Sequence, residues 1–159
     1  MMAAERILPG SDAVLVVGLG LTGWSVVRHL ARTGQDLVVT DTRDKPPYLD
    51  ALQTEFPDIP FHQAKGEIEA EGFATVIASP GIAVNGSNVI GDVELFAREA
   101  KAPVIAITGS NGKSTVTMLV QRMLDCAGTR AIAGGNIGTP VLDLLSQPEP
   151  DYYVLELSS

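Results

Sequence analysis

Residues 108–115, Thr-Gly-Ser-Asn-Gly-Lys-Ser-Thr, follow the apolar run Val104 to Ile107 and open a segment of helical period. A strand that passes through a glycine-containing loop into a helix N-terminus directs the chain toward an α/β layer arrangement. It also leaves several backbone N–H groups without intrahelical partners, converging on one place. Gly109 and Gly112 permit turns that a Cβ would obstruct, and Lys113 adds a movable positive charge. Ser114 offers a hydroxyl of the kind that holds magnesium in phosphate loops. The usual pattern, G-x-x-x-x-G-K-[ST], wants a glycine where this chain has Ile107, so the loop is a shortened variant. The following helix is read from Val116, Leu119, Val120, Met123 and Ala127, which recur at three- and four-residue steps, with Gly128 placed to end it. Gly109, Ser110, Asn111, Gly112, Lys113, Ser114 and Thr115 are therefore the candidates for contact with nucleotide phosphates.

A second strand, glycine loop and helix lies upstream. Ala13 to Val17 is a continuous apolar run, Gly18-Leu-Gly-Leu-Thr-Gly23 satisfies G-x-G-x-x-G, and a helical pattern through Val26, Val27, Leu30 and Ala31 stops at Gly34. Leu37 to Thr40 is a second apolar run, ending at Asp41. Strand, helix, strand within about thirty residues is a βαβ unit, and continuous apolar strands suit a parallel sheet covered on both faces. The expected fold is a Rossmann-like α/β domain with a parallel sheet. Asp41 stands where an acidic residue can meet a ribose, and Arg43 where an arginine can accommodate a 2′-phosphate, so an NAD(P) oxidoreductase is one reading. The glycines themselves report only a diphosphate near a helix N-terminus.

Further elements are predicted at about Tyr48 to Phe56 (helix), Thr75 to Ala78 (strand, then a turn at Ser79-Pro80-Gly81) and Asp92 to Ala100 (helix). Lys101-Ala102-Pro103 marks the expected boundary, giving domains over 1–101 and 102–159. The second contains the phosphate loop and its helix, then a strand near Arg130 to Ala133. Gly134 to Gly138, a helix from Pro140 to Ser146 and a strand from Tyr152 to Leu157 complete it. Glu156, at the carboxyl end of that last strand, is the candidate to hold magnesium together with Ser114, because ligands of parallel α/β sheets bind at such strand ends. A strand with this central-sheet pattern is normally followed by a covering helix and more sheet, so the chain reads as part of a longer protein.

The bulk numbers remove other classes. At 159 residues and 45% apolar content the chain can bury a sizeable core. No apolar stretch is long enough to cross a bilayer and no signal-peptide segment opens the chain, so a cytoplasmic location without membrane partners is expected. A net charge of −8 opposes extended contact with nucleic acid. Cys126 is the only cysteine and is read as a buried or half-buried packing residue. His29, in a helical context, and His62, in a loop-like one, are read as surface or packing residues. A monomer is expected.

The ordered set Gly18 to Gly23, Asp41-Thr-Arg43, Ala78-Ser-Pro-Gly-Ile82, Gly91-Asp-Val-Glu-Leu-Phe96, Thr108 to Ser114, Gly134-Gly-Asn-Ile-Gly138 and Leu155-Glu-Leu-Ser-Ser159 resembles the Mur ligases. Their phosphate loop, shared with folylpolyglutamate synthetases, lacks the same glycine. The resemblance covers the family's first domain and the opening of a P-loop ATPase-type central domain. It implies that the first domain binds the UDP end of a sugar nucleotide. Leu21 and Thr22 match positions at the diphosphate; Asp41, Thr42 and Arg43 match positions near uracil. Ser79 and Gly81 match a turn approaching the nucleotide, and Asn136 matches a central-domain residue reaching the same substrate. Lys113 and Glu156 match catalytic positions, at the ATP phosphates and at magnesium, and Ser114 matches a second magnesium position.

The implied reaction is ADP-forming amide ligation of D-glutamate to UDP-N-acetylmuramoyl-L-alanine through an acyl phosphate, with ATP and Mg2+ as cofactors, in peptidoglycan precursor synthesis. The family's later histidine, carbamylated lysine and C-terminal domain fall outside these residues, so the chain alone is expected to be inactive. A noncatalytic nucleotide-binding module is the remaining alternative.

Overall fold

The computed structural model describes residues 12–66, 68–86 and 88–158, which divide into two compact units, Met1–Asp92 and Val93–Ser159. In the first unit, β1 (Val14–Val17) leads through Gly18 to Gly20 into α1 (Leu21–Arg32), followed by β2 (Leu37–Asp41), α2 (Leu49–Glu55), β3 (Phe61–Gln63), β4 (Ile68–Glu69), β5 (Thr75–Ala78), β6 (Val84–Asn85) and β7 (Val89–Ile90). Five of these strands form one sheet, in the order β3-β2-β1-β5-β7, and β4 pairs with β6. All pairings are parallel. Every residue of β1 and β2 is buried, as continuous apolar strands covered on both faces require. Leu15, Val17, Val38, Phe73 and Val76 form a core cluster against which Ile82 packs.

The order reverses at β1. Chain order runs one way to β2 and β3, then returns to β5 on the other side, with Val17 in register with Ala78. That reversal opens the crevice in which doubly wound sheets bind ligands. Glycine chemistry places α1 beside it: a Cβ on Gly23 would lie 1.7 Å from the Gly18 carbonyl oxygen, so only a glycine lets the helix approach β1 this closely.

The second unit contains α3 (Asp92–Glu99), β8 (Val104–Ile107), α4 (Lys113–Cys126), β9 (Ala131–Gly135), α5 (Val141–Leu144) and β10 (Tyr152–Glu156), with a parallel sheet ordered β8-β10-β9. The division falls between Asp92 and Val93, ahead of the break read from sequence after Lys101. Packing explains the difference: the fully buried Phe96 of α3 meets the Tyr153 ring of β10 edge-on at 5.0 Å. Burial raises the Tyr153 hydroxyl pKa above its ordinary value; Glu149 adds to the rise and Arg130 opposes it.

Two expectations are corrected, those for Cys126 and His62. Helix α4 forms as its period predicts, although the residues that gave the period are not its packed face: Val116, Leu119 and Met123 are 46%, 55% and 63% exposed while Thr117 is wholly buried. Cys126 is exposed rather than buried. His62 lies in strand β3, its carbonyl accepting the Thr40 hydroxyl at 2.8 Å, and not in a loop.

Candidate functional site

Each unit carries a glycine loop at the amino end of a helix, and the two loops are prepared in the same way. The N-cap residues of α1 and α4, Gly20 and Gly112, supply no side-chain cap, and neither first turn holds an acidic residue. The N-terminal N–H groups thus keep their partial positive charge for an outside anion.

In the loop before α4, Gly112 has φ 77° and Gly109 φ 143°, and a Cβ at either would meet no atom within 4 Å. The conformation, not crowding, demands glycine there. Lys113 curls over the loop, its Nζ donating to the Gly109 carbonyl at 2.6 Å. The Ser114 hydroxyl donates to Glu156 Oε2 at 2.7 Å, with the carboxylate 6% exposed at the end of the central strand β10. The predicted pair is therefore brought together. Among the described residues no group of three or more His, Cys, Asp or Glu could enclose a metal. One hydroxyl beside one carboxylate nevertheless fits magnesium, which usually takes one or two protein oxygens and fills its shell with phosphate oxygens and water. Ser110, Asn111 and Thr115 lie exposed on the loop and the first helical turn.

Asn136 sits where β9 leaves the sheet. Its N–H donates to the Glu156 carbonyl at 2.9 Å and its amide Nδ2 to the Ser158 hydroxyl at 3.0 Å. The Ser158 carbonyl in turn accepts the Thr108 hydroxyl at 3.2 Å, so one residue joins Asn136 to the start of the phosphate loop. Gly135 makes this possible, since a Cβ there would lie 2.3 Å from the Glu156 carbonyl oxygen. Sequence reading gave Ser158 no such tie; Ser159 falls outside the described residues.

In the first unit, Leu21 and Thr22 occupy the first turn of α1, with Leu21 52% exposed. Asp41 is 1% exposed, and its carboxylate is enclosed by donors. Oδ2 accepts the Leu19 N–H at 2.6 Å and Arg43 Nη2 at 2.7 Å; Oδ1 accepts the Arg43 N–H at 2.8 Å and Nε at 2.9 Å. Burial pushes this carboxyl upward, but the hydrogen bonds from Arg43 and the Leu19 N–H prevail and hold it at about 2. The half-exposed Arg43 guanidinium is thereby fixed over the glycine loop, its Nη2 being the nearest atom to a Cβ built on Gly20, at 3.9 Å. Thr42 is exposed beside it. Across the crevice, Ser79 follows β5 and its hydroxyl faces the Gly18 carbonyl at 3.4 Å, while Gly81 turns the chain with φ 85°.

Residues 12–96 match the family model of the Mur ligase MurD-like N-terminal domain. The UDP-N-acetylmuramoylalanine--D-glutamate ligase of Marinobacter nauticus is 49% identical over an alignment covering 96% of this chain and 36% of that protein. The enzyme of the same name from Nitrosococcus oceani is 48% identical, over 99% and 38%. The chain thus spans little more than a third of the length of these curated relatives. Among solved structures, a murein peptide ligase from Psychrobacter arcticus is 16% identical and aligns with a TM-score of 0.46 over 91% of this chain and 37% of that one.

Proposed function

This chain belongs to the family of Mur ligase MurD-like N-terminal domains, and from that membership we propose that it is the amino-terminal portion of an ATP-dependent, ADP-forming ligase joining D-glutamate to UDP-N-acetylmuramoyl-L-alanine. The first unit takes the UDP end of the substrate and the second begins the ATP-binding domain. The observation that carries this reading is the Ser114 to Glu156 hydrogen bond beside the Lys113-bearing loop, which groups a phosphate cradle with two magnesium-compatible oxygens.

The chemistry follows from charge. A carboxylate oxygen is a poor leaving group and phosphate a good one, so activating the alanine carboxylate as an acyl phosphate lets the D-glutamate amine displace it and form the amide. Lys113 and the free N–H groups at the start of α4 offset repulsion between the incoming carboxylate and the γ-phosphate. Magnesium, held by Ser114 and Glu156, supplies further charge neutralisation when bound. In the first unit, the α1 N-terminus with Leu21 and Thr22 meets the diphosphate, Thr42 and Arg43 face the base, and Ser79 and Gly81 form the opposite lip. Asn136, tied through Ser158 to the phosphate loop, is a further residue that contacts substrate.

Titration calorimetry tests this with UDP-N-acetylmuramoyl-L-alanine and Mg-ATP added separately. Both ligands bind the wild-type protein, and Lys113→Ala weakens Mg-ATP by about tenfold or more while leaving the UDP compound unaffected. A protein in which Lys113→Ala leaves Mg-ATP binding untouched would refute the assignment of the loop.

A further inference from the structure

Asn111 and Gly112 form an Asn-Gly pair inside the phosphate loop, the pairing in which an asparagine amide is most readily lost to its own backbone. The reaction needs the nitrogen of the following residue to reach the side-chain Cγ, and a glycine there presents no Cβ to obstruct it. Both residues are exposed, and neither the Gly112 N–H nor the Asn111 amide has a hydrogen-bond partner among the described residues. A Cβ built on Gly112 would meet no atom within 4 Å, so nothing crowds the ring that would form.

The other three asparagines are held differently. Asn88 and Asn136 donate their amides to the Phe73 carbonyl at 2.6 Å and the Ser158 hydroxyl at 3.0 Å, and each is followed by a branched residue, Val89 or Ile137. Asn85 also precedes a glycine, but it lies in β6 opposite Glu69, with its carbonyl accepting the Ala70 N–H at 3.2 Å. A Cβ on Gly86 would lie 2.8 Å from Ala70 Cβ. Ladder pairing keeps this backbone extended and resists the rotation that ring closure requires.

We propose that Asn111 is a site of spontaneous deamidation, through which the phosphate loop loses its affinity for nucleotide. The Gly112 nitrogen bonds to Asn111 Cγ, the Cγ–Nδ2 bond breaks, and ammonia leaves with the proton given up by Gly112. Water then opens the succinimide at either carbonyl, leaving aspartate where the new C–N bond breaks and isoaspartate where the original peptide bond does. One water enters and one ammonia departs, with no oxidant or reductant. The product carboxylate lies two residues ahead of Lys113 at the start of α4, where it competes with a phosphate for the same positive charge. Isoaspartate also lengthens the main chain and displaces the loop's N–H groups. The loss of affinity rests on the ATP reading above; the modification itself does not.

The test incubates the wild-type protein at mildly alkaline pH and physiological temperature, with and without Mg-ATP, and follows each asparagine by peptide mass spectrometry. Aliquots are titrated with Mg-ATP and with UDP-N-acetylmuramoyl-L-alanine. Asn111 is converted several-fold faster than Asn85, and Mg-ATP slows conversion at Asn111 alone. Mg-ATP binding falls in step with the modified fraction, while the UDP compound binds as before. Asn111→Asp, verified as folded by thermal unfolding, binds Mg-ATP about tenfold or more weaker, because its charge opposes the triphosphate. Should that variant not fold, the incubated wild type decides. Conversion at Asn85 as fast as at Asn111 overturns the site. Conversion that Mg-ATP does not slow, or that leaves Mg-ATP binding unchanged, overturns its link to the nucleotide. A fresh wild type that binds no Mg-ATP overturns the ATP reading and with it the inactivation, while faster conversion at Asn111 upholds the modification site.

Discussion

The Ser114 hydroxyl donates to the Glu156 carboxylate at 2.7 Å across a sequence separation of 42 residues. One partner opens helix α4 and the other closes the central strand β10, so the contact exists only because β10 lies beside β8 with Glu156 in register with Ile107. A hydroxyl and a buried carboxylate are thereby held together at the mouth of the lysine-bearing loop.

Glu156→Gln keeps the shape and removes the charge. We expect Mg-ATP affinity to fall by about tenfold or more, with magnesium-free ATP much less affected. Calorimetry with and without EDTA reads the difference; equal losses in both conditions would mean that Glu156 serves the loop's structure and not a metal.

The Asp41 carboxyl is held at about 2 against an ordinary 3.8. A depressed folded pKa contributes stability that is complete above the unfolded value and disappears as pH falls from about 4 toward 2. The contribution is about 2 kcal/mol at most, reduced by solvent around the half-exposed Arg43. Asp41→Asn is expected to lower stability at neutral pH and to flatten the acid limb of a urea-unfolding series. An acid limb as steep as in the wild type would show that other carboxylates set it.

Gly23→Ala would force a Cβ to within 1.7 Å of the Gly18 carbonyl oxygen. Backbone on both sides leaves little room for relief, so a loss of roughly 3 kcal/mol or more is expected, together with loss of UDP binding as α1 is pushed off β1. A variant with an unaltered melting temperature would contradict this packing.

Cys126 is exposed at the end of α4. A thiol reagent is expected to modify one sulfur per native chain at a rate close to that of the denatured chain. Protection in the native protein would place a partner or a further segment over this helix end.

The chain's own residues made the two strand, glycine loop and helix units legible, with Lys113 and Ser114 in one and Gly18 to Gly23 in the other. Long buried strands also carried their signal: β1, β2 and β10 lie where continuous apolar runs placed them. Two- and three-residue strands such as β3, β6 and β7 were not readable, because so few residues show no period. The α4 stripe was legible as a helix but not as a packing face. Period identifies a helix and its apolar side, whereas which side meets the sheet depends on where the strands lie, and here Thr117 faces inward.

What sequence alone determined, then, is chemistry that is local: turns that need positive φ, helix starts left open to anions, and a lysine with a hydroxyl next to it. Tertiary structure alone decided the long-range pairings. It turned Asp41 inward to Leu19 and Arg43, set Ile82 against Gly18, and brought Glu156 to Ser114. The physical reason is that backbone conformation is fixed by neighbouring residues, while the partner of a carboxylate or a methyl group is fixed by strand order and register, which no short stretch of chain contains.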